Sequence, residues 1–170
     1  MSEPPKERVK YIDTNLNLPY HYYAGDYKAL YLRALKERKI LGSRCSVTGK
    51  VFVPPVINSP ESLAPCNELV ELPHCGIVTT FCVVNIQVFG RDIEVPYVVA
   101  SVALDGADIS LYSLIQECAA SAVRMGTRVE AVWKPDAERQ GDHTDIRYFR
   151  PTGEPDAPLD SGQGYGQIGH

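Results

Sequence analysis

Residues 76–104 read GIVTTFCVVNIQVFGRDIEVPYVVASVAL, and this stretch constrains the fold more than any other. From Val78 to Val88 alternate positions are Val, Thr, Cys, Val, Ile and Val. The intervening positions begin apolar at Ile77, Phe81 and Val83 and turn polar at Asn85 and Gln87. A period of two, rich in β-branched and aromatic residues, predicts a long strand with one wholly buried face. Phe89-Gly90-Arg91-Asp92 reads as a turn. The chain then returns over residues 95–104, where Val98, Ala100, Val102 and Leu104 repeat the alternation. Pro96 belongs at the start or edge of that strand, because it has no N–H for a ladder. After Asp105-Gly106 a third run covers residues 108–114. Three consecutive antiparallel strands with small alternating side chains predict a meander curling into a small barrel.

The flanks supply the rest of a mainly β architecture. Residues 1–18 are polar and proline-bearing and read as a loose arm, followed by the aromatic run Pro19-Tyr20-His21-Tyr22-Tyr23. Asp26 is a candidate helix N-cap. Tyr27, Leu30, Tyr31, Ala34 and Leu35 form the stripe of an amphipathic helix, with Lys28, Arg33, Lys36 and Glu37 opposite. The tyrosines Tyr22, Tyr23, Tyr27 and Tyr31 are candidates for a partner interface; the competing reading packs them onto the domain.

Residues 39–50, KILGSRCSVTGK, have another texture. Cys45 and Thr48 stand at C-x-x-C spacing with a glycine after them, as in a zinc knuckle, where backbone amides face the sulfurs. Some twenty residues on, Cys66-Asn67-Glu68-Leu69 offers a second first cysteine without its mate. Two thiolates do not close a tetrahedral site, so Cys45 and Cys66 are expected as vestigial positions. His74 and Cys75 could complete a set only at an unusual spacing.

The order is helix, KILGSRC, x-x-T-G, VFVPP, a second knuckle, ELVELPHCGIVTTF, PYVVASVAL and RMGTRV. Over residues 22–152 it resembles the DUF35 family, in which a rubredoxin-like zinc ribbon is fused to an OB-fold. The resemblance implies an arm and helix over residues 1–39, a degenerate ribbon finger over 40–75, a five-stranded OB barrel over 76–150, and a tail from 151. It implies a role beside thiolase-like acyl-CoA enzymes, among them steroid side-chain aldolases and acyltransferases, with the OB domain docking the enzyme or holding coenzyme A. Thr48 and Leu69 stand where the family has cysteine, so stoichiometric zinc is not expected, nor any other resident cofactor.

Within the barrel, Leu114, Cys118, Ala122 and Met125 recur at helical spacing, as a helix or ordered loop plugging one barrel end would require. Val129, Ala131 and Trp133 alternate as a fourth strand; Ile146 and Tyr148 do so as a fifth. From Pro151 onward Gly and Pro dominate, and a disordered tail is expected.

Function is bounded mostly by exclusion. His21, His74, His143 and His170 sit in no motif, the acidic residues fall at strand ends, and neither a Walker loop nor a dinucleotide fingerprint occurs. A lone enzyme is not expected. A net charge of −4 argues against a nucleic-acid partner. Arg44, Lys50, Arg124 and Arg128 could still meet coenzyme A phosphates. Five cysteines in no disulfide pattern read as reduced cytoplasmic thiols, and no apolar run is long enough to span a membrane. The expected role is a non-catalytic accessory subunit of an acyl-CoA enzyme. The alternative is a free-standing OB module for an acyl ligand or single-stranded nucleic acid.

Overall fold

The computed structural model describes residues 16–87 and 93–158. One α-helix, α1 (Asp26–Lys36), precedes eight strands: β1 (Ile40–Arg44), β2 (Val51–Phe52), β3 (Glu68–Leu72), β4 (Cys75–Val84), β5 (Tyr97–Leu104), β6 (Leu111–Ile115), β7 (Arg128–Trp133) and β8 (Ile146–Pro151). Strands β2-β1-β3 form a small antiparallel sheet, and β4-β5-β6-β8-β7 closes into a barrel. The β6–β8 pairing, at Ile115 and Phe149, is parallel. The turn at residues 89–92 lies outside the described residues.

Helix α1 differs from expectation at its start. Gly25, not Asp26, is the N-cap, and no side chain caps the helix. Asp26 instead accepts a hydrogen bond from the Tyr23 hydroxyl at 3.3 Å. The helix ends in a Schellman turn: Lys39 N–H bonds Ala34 O at 2.8 Å, Arg38 N–H bonds Leu35 O at 2.9 Å, and Arg38 takes φ 62°. Its buried residues are Tyr31, Ala34 and Leu35, while Leu30 remains exposed.

The barrel follows the alternation in β5, but the wholly buried face expected from Val78 onward is corrected in β4. A register shift between Val78 and Thr80 breaks the period, and Thr80, Cys82 and Ile86 are exposed. Val78, Val98, Ala100, Val102, Leu104, Ile115, Val129 and Phe149 are buried in one cluster. Gly76 sits where β4 pairs with both β5 and β7. A Cβ there would lie 2.2 Å from Ala103 O, so only glycine lets the strands meet at this seam. Phe149, rather than Ile146 or Tyr148, is the fully buried residue of β8. A register shift between Val132 and Trp133 moves the inward position by one residue. Residues 114–125 are not helical. Leu114 and Ile115 belong to β6, and only Ala120–Ala122 makes a short 3₁₀ turn.

The finger expected over residues 40–75 forms its own sheet and shares its core with the barrel. Ile40, Val51, Val53 and Leu72 share one buried cluster with the barrel, as do Tyr31 and Leu35 of the helix. The backbone of Val51 is also locked to Asp108 in the β5–β6 loop. Asp108 N–H donates to Val51 O at 2.9 Å, and Asp108 Oδ2 accepts from Val51 N–H at 2.8 Å. A sheet this small has little core of its own, and the barrel supplies the missing wall.

Two further segments brace the barrel. In the β7–β8 loop, buried Asp145 accepts from the backbone N–H groups of Gln140, Gly141 and Asp142 at 3.1, 2.8 and 3.3 Å. From the same loop Arg139 donates to Lys36 O at the end of α1 (2.8 Å) and to Lys134 O (3.0 Å). The expected disorder does not begin at Pro151. Pro151 ends β8, Ala157 N–H bonds Gly126 O at 2.8 Å, and Glu154 and Asp156 pair with Arg128 and Arg124. The remainder of that tail lies outside the described residues.

Candidate functional site

Exposed apolar side chains are spread over the described surface, with Val47, Ile57, Leu63 and Met125 among them, and two groups recur within short segments. The first is the segment ahead of α1, where Leu16, Leu18, Tyr20, Tyr22 and Tyr23 are all exposed, Tyr23 at 84%. Leu16, Leu18, Tyr20 and Tyr22 alternate, so an extended chain presents them on one side. Tyr22 lies under Lys28 Nζ, 5.0 Å from the ring centre. The second lies on the barrel at the end of the β4–β5 hairpin. Phe81, Val83 and Ile86 are exposed there, Ile86 at 77%, and Tyr112 of β6 is 83% exposed.

The four tyrosines named from sequence therefore divide. Tyr22 and Tyr23 are free surface. Tyr27 is half-buried and donates its hydroxyl to Cys66 O at 3.1 Å, tying α1 to the small sheet. Tyr31 is 3% exposed and belongs to the core, where burial pushes its hydroxyl up to about 12. It is corrected from interface to packing, since position 31 lies on the α1 face that covers the barrel.

The cations proposed for coenzyme A phosphates are all engaged. Arg44 pairs with Glu68 and donates to Gly49 O; Lys50 pairs with Glu61 at 2.7 Å. Arg124 pairs with Asp156. Arg128 grips Asp105 with two bonds of 2.7 and 2.8 Å and also meets Glu154. Its guanidinium is pushed above its ordinary range, first by the Asp105 hydrogen bonds. The structure does not bring these four together into one anion site, because each faces its own carboxylate.

The histidines within the described residues also serve packing or solvent. His74 stacks on Trp133 at 5.0 Å and is held below its usual range, first by burial and then by the Arg38 charge. His143 lies 6.1 Å from the Tyr31 ring. His21 is exposed in the arm. Hydroxyl–carboxylate hydrogen bonds occur at Thr144–Asp142, Tyr148–Glu117 and Thr152–Glu154, all at exposed positions.

The small sheet holds a thiol in an unusual setting. Cys45 Sγ is 3.4 Å from Ser62 Oγ and accepts from Thr48 N–H at 3.4 Å. These groups hold the Cys45 thiol down to about 6, the Ser62 hydroxyl contributing most and the Thr48 hydroxyl next. Cys66, fully buried, packs with Cys45 and Phe52, and burial pushes its thiol up. The donor set does not fit zinc. Two thiols with hydroxyl neighbours lack the four nitrogen or sulfur ligands of a closed site. No group of three or more His, Cys, Asp or Glu among the described residues could hold a metal ion.

An OB barrel with a three-stranded antiparallel sheet packed on its side defines the structural class. Residues 69–134 match the family model described as "ChsH2, C-terminal OB-fold domain". One similar solved structure is a DUF35-family protein of unknown function from Sulfolobus solfataricus, with 20% identity, a TM-score of 0.53, and coverage of 64% of this chain and 78% of that one. Another is the "Ltp2-ChsH2(DUF35) aldolase", with 25% identity, a TM-score of 0.54, and coverage of 73% and 93%. Residues 69–134 thus carry the OB-fold domain of that family model, and the fold is shared with solved DUF35 proteins. No curated protein matches the sequence. Among the described residues no helix is long and apolar enough to cross a membrane.

Proposed function

We propose that this chain is a non-catalytic subunit that docks on a thiolase-like acyl-CoA enzyme in the cytoplasm. The observation that carries this reading is the likeness to the DUF35 chain of an Ltp2–ChsH2 aldolase, which extends over 93% of that chain. Two features of the molecule agree with it. Exposed apolar side chains include those of the arm at residues 16–23 and of the hairpin end at Phe81, Val83 and Ile86. Contiguous exposed apolar groups rimmed by polar ones are what a docking face requires. The described residues, moreover, contain no catalytic constellation of their own.

In this reading the arm and hairpin bind the enzyme, and any acyl-CoA meets residues of both chains. The ion pairing of Arg44, Lys50, Arg124 and Arg128 speaks against a phosphate site built from this chain alone, and equally against a single-strand groove, which needs free cations. The test is co-expression with a thiolase-like protein encoded nearby, followed by mass measurement in solution and acyl-CoA turnover. A stable complex with activity above that of the enzyme alone is expected. Replacing Tyr20, Tyr22 and Tyr23 by Ala should weaken it by more than about 1 kcal/mol, as loss of interface anchors does. The lone chain should keep its melting temperature, because none of the three is in the core. A complex indifferent to these changes, or no complex at all, removes the proposal.

A further inference from the structure

The loop at residues 59–64, which no cysteine marks, repeats the hydrogen bonding of residues 45–50 bond for bond. Gly49 N–H closes onto Cys45 O at 3.0 Å, and Leu63 N–H closes onto Ser59 O at 2.9 Å. Cys45 N–H reaches Lys50 O at 2.8 Å, and Ser59 N–H reaches Ala64 O at 2.8 Å. Thr48 N–H points at Cys45 Sγ (3.4 Å), and Ser62 N–H at Ser59 Oγ (3.3 Å). Lys50 N–H donates to Thr48 Oγ1 at 3.4 Å, and Ala64 N–H to Ser62 Oγ at 3.4 Å. The residue closing each turn is left-handed: Gly49 at φ 72°, Leu63 at φ 57°. A leucine in that conformation is strained, so the turn is held by its surroundings and not by its own preference.

Amides aimed at the first side-chain atom, a partner at the fourth position and a left-handed fifth residue together make a metal knuckle. We propose that residues 45–49 and 59–63 are the two knuckles of a former metal ribbon. Its ligand positions are Cys45, Thr48, Ser59 and Ser62, now joined as a metal-free hydrogen-bonded clasp. Cys66 and Leu69 are then not ligand positions. Cys66-Asn67 leads directly into β3, and Leu69 pairs with Ser43 inside the sheet.

The dimensions agree. Two ligand sulfurs each about 2.3 Å from a tetrahedral ion lie roughly 3.8 Å apart. Cys45 Sγ and Ser62 Oγ, from opposite knuckles, stand 3.4 Å apart. Four thiolates at such spacing need a cation between them. One cysteine sulfur and three hydroxyls do not, since hydroxyls can donate to the sulfur as well as accept. Lys50 and Glu61, one from each knuckle, pair at 2.7 Å and add a second bridge.

The test rebuilds the site in the full chain in two ways, with Co²⁺ as probe. Thr48→Cys with Ser59→Cys and Ser62→Cys restores the positions assigned here; Thr48→Cys with Leu69→Cys restores the spacing read from cysteines alone. The first variant should bind one Co²⁺ per chain, with thiolate charge-transfer and tetrahedral ligand-field bands that Zn²⁺ abolishes. The second variant and the native chain should not. Binding by the second and not the first, binding by neither, or stoichiometric Co²⁺ on the native chain would each overturn the assignment. If the first variant folds only when Zn²⁺ is present, the assignment stands; if it stays unfolded with Zn²⁺ too, it falls. Ser59→Ala in the otherwise native chain gives an independent reading. Exchange of the Glu61 and Ser62 amides should accelerate at least tenfold, while EDTA leaves native exchange unchanged. Acceleration by EDTA, or no effect of Ser59→Ala, counts against the clasp.

Discussion

The barrel and the small sheet solve the same problem with different materials. The barrel is held by interdigitated apolar side chains, Val78, Val98, Val102, Leu104, Val129 and Phe149 among them. In the small sheet, polar atoms do much of the local work. Ser43 Oγ is bonded to both the N–H and the C=O of Val56 at 2.9 Å, and Ser59 Oγ receives two backbone amides. Its own cluster contains only Cys45, Phe52 and Cys66, with Val56 and Ala64 at the edge. The other buried apolar residues of this region, Ile40, Val51, Val53 and Leu72, join the barrel core. The small sheet thus takes its position from apolar packing and its internal shape from hydrogen bonds. On the knuckle assignment proposed above, loss of metal ligands is tolerable under that division, because residues 45–49 and 59–63 are not what holds the sheet to the molecule.

Phe149→Ala should do the most damage, about 3–5 kcal/mol in a denaturant melt, since it opens a cavity where β8 closes the barrel. A cost under about 1 kcal/mol would mean that the barrel is not the dominant source of stability. Asp108→Ala strikes the join. It removes the carboxylate that accepts Val51 N–H and should cost about 1.5–3 kcal/mol. Exchange should rise at Val51 ahead of the barrel strands; uniform loss would show that the two parts unfold as one. Ser59→Ala acts inside the small sheet alone, with about 1–2 kcal/mol expected from unpaired amides and little change at Val102 or Val129.

Acid should produce the smallest effect, and on the barrel side. Hydrogen bonds from Thr144, its hydroxyl first, hold the Asp142 carboxyl below the usual carboxylate range. A folded-state value below the unfolded one means stability is gained above the ordinary carboxylate pKa of about 4 and lost as pH falls through the depressed value. Thr144→Val should remove part of that acid sensitivity in melts between about pH 5 and 2, by lowering stability at neutral pH while leaving it unchanged at the acid end. An identical acid profile would assign the sensitivity to other carboxylates.

The same division governs what could be read in the sequence. Alternation over residues 97–104 is a direct imprint of apolar packing, and β5 follows it, whereas in β4 the register shift after Val78 leaves the expected buried face exposed. The stripe of α1 is equally legible, down to Tyr31 and Leu35. Knuckle positions 59 and 62 were silent because serine is common in loops and carries no metal signature. Only the repeated pattern of a ligand-like atom, two residues, a hydroxyl and then a left-handed residue could have found them, and leucine hides that last position. Phe149 was missed because the register shift at Val132 and Trp133 breaks the period of two. Residues 114–125 suggested a helix because apolar residues at intervals of about four also suit a strand followed by a turn. The pairing of Arg44, Lys50, Arg124 and Arg128 could not be read at all, since each carboxylate partner is set by the fold.

Arg139 fastens the last turn of α1 to the β7–β8 loop, while the chain ahead of Gly25 is tied back only lightly, through Tyr23 to Asp26 and Tyr22 to Lys28. The helix is thereby a fixed post and the arm a line cast from it. Fully extended, a stretch of eight residues such as 16 to 23 would reach roughly 26 Å. A partner need not arrive in register with the barrel to be caught. First contact with the tyrosines converts a search in three dimensions into a short retrieval toward the hairpin. The arm should therefore govern how fast a complex forms, and the hairpin face how long it lasts.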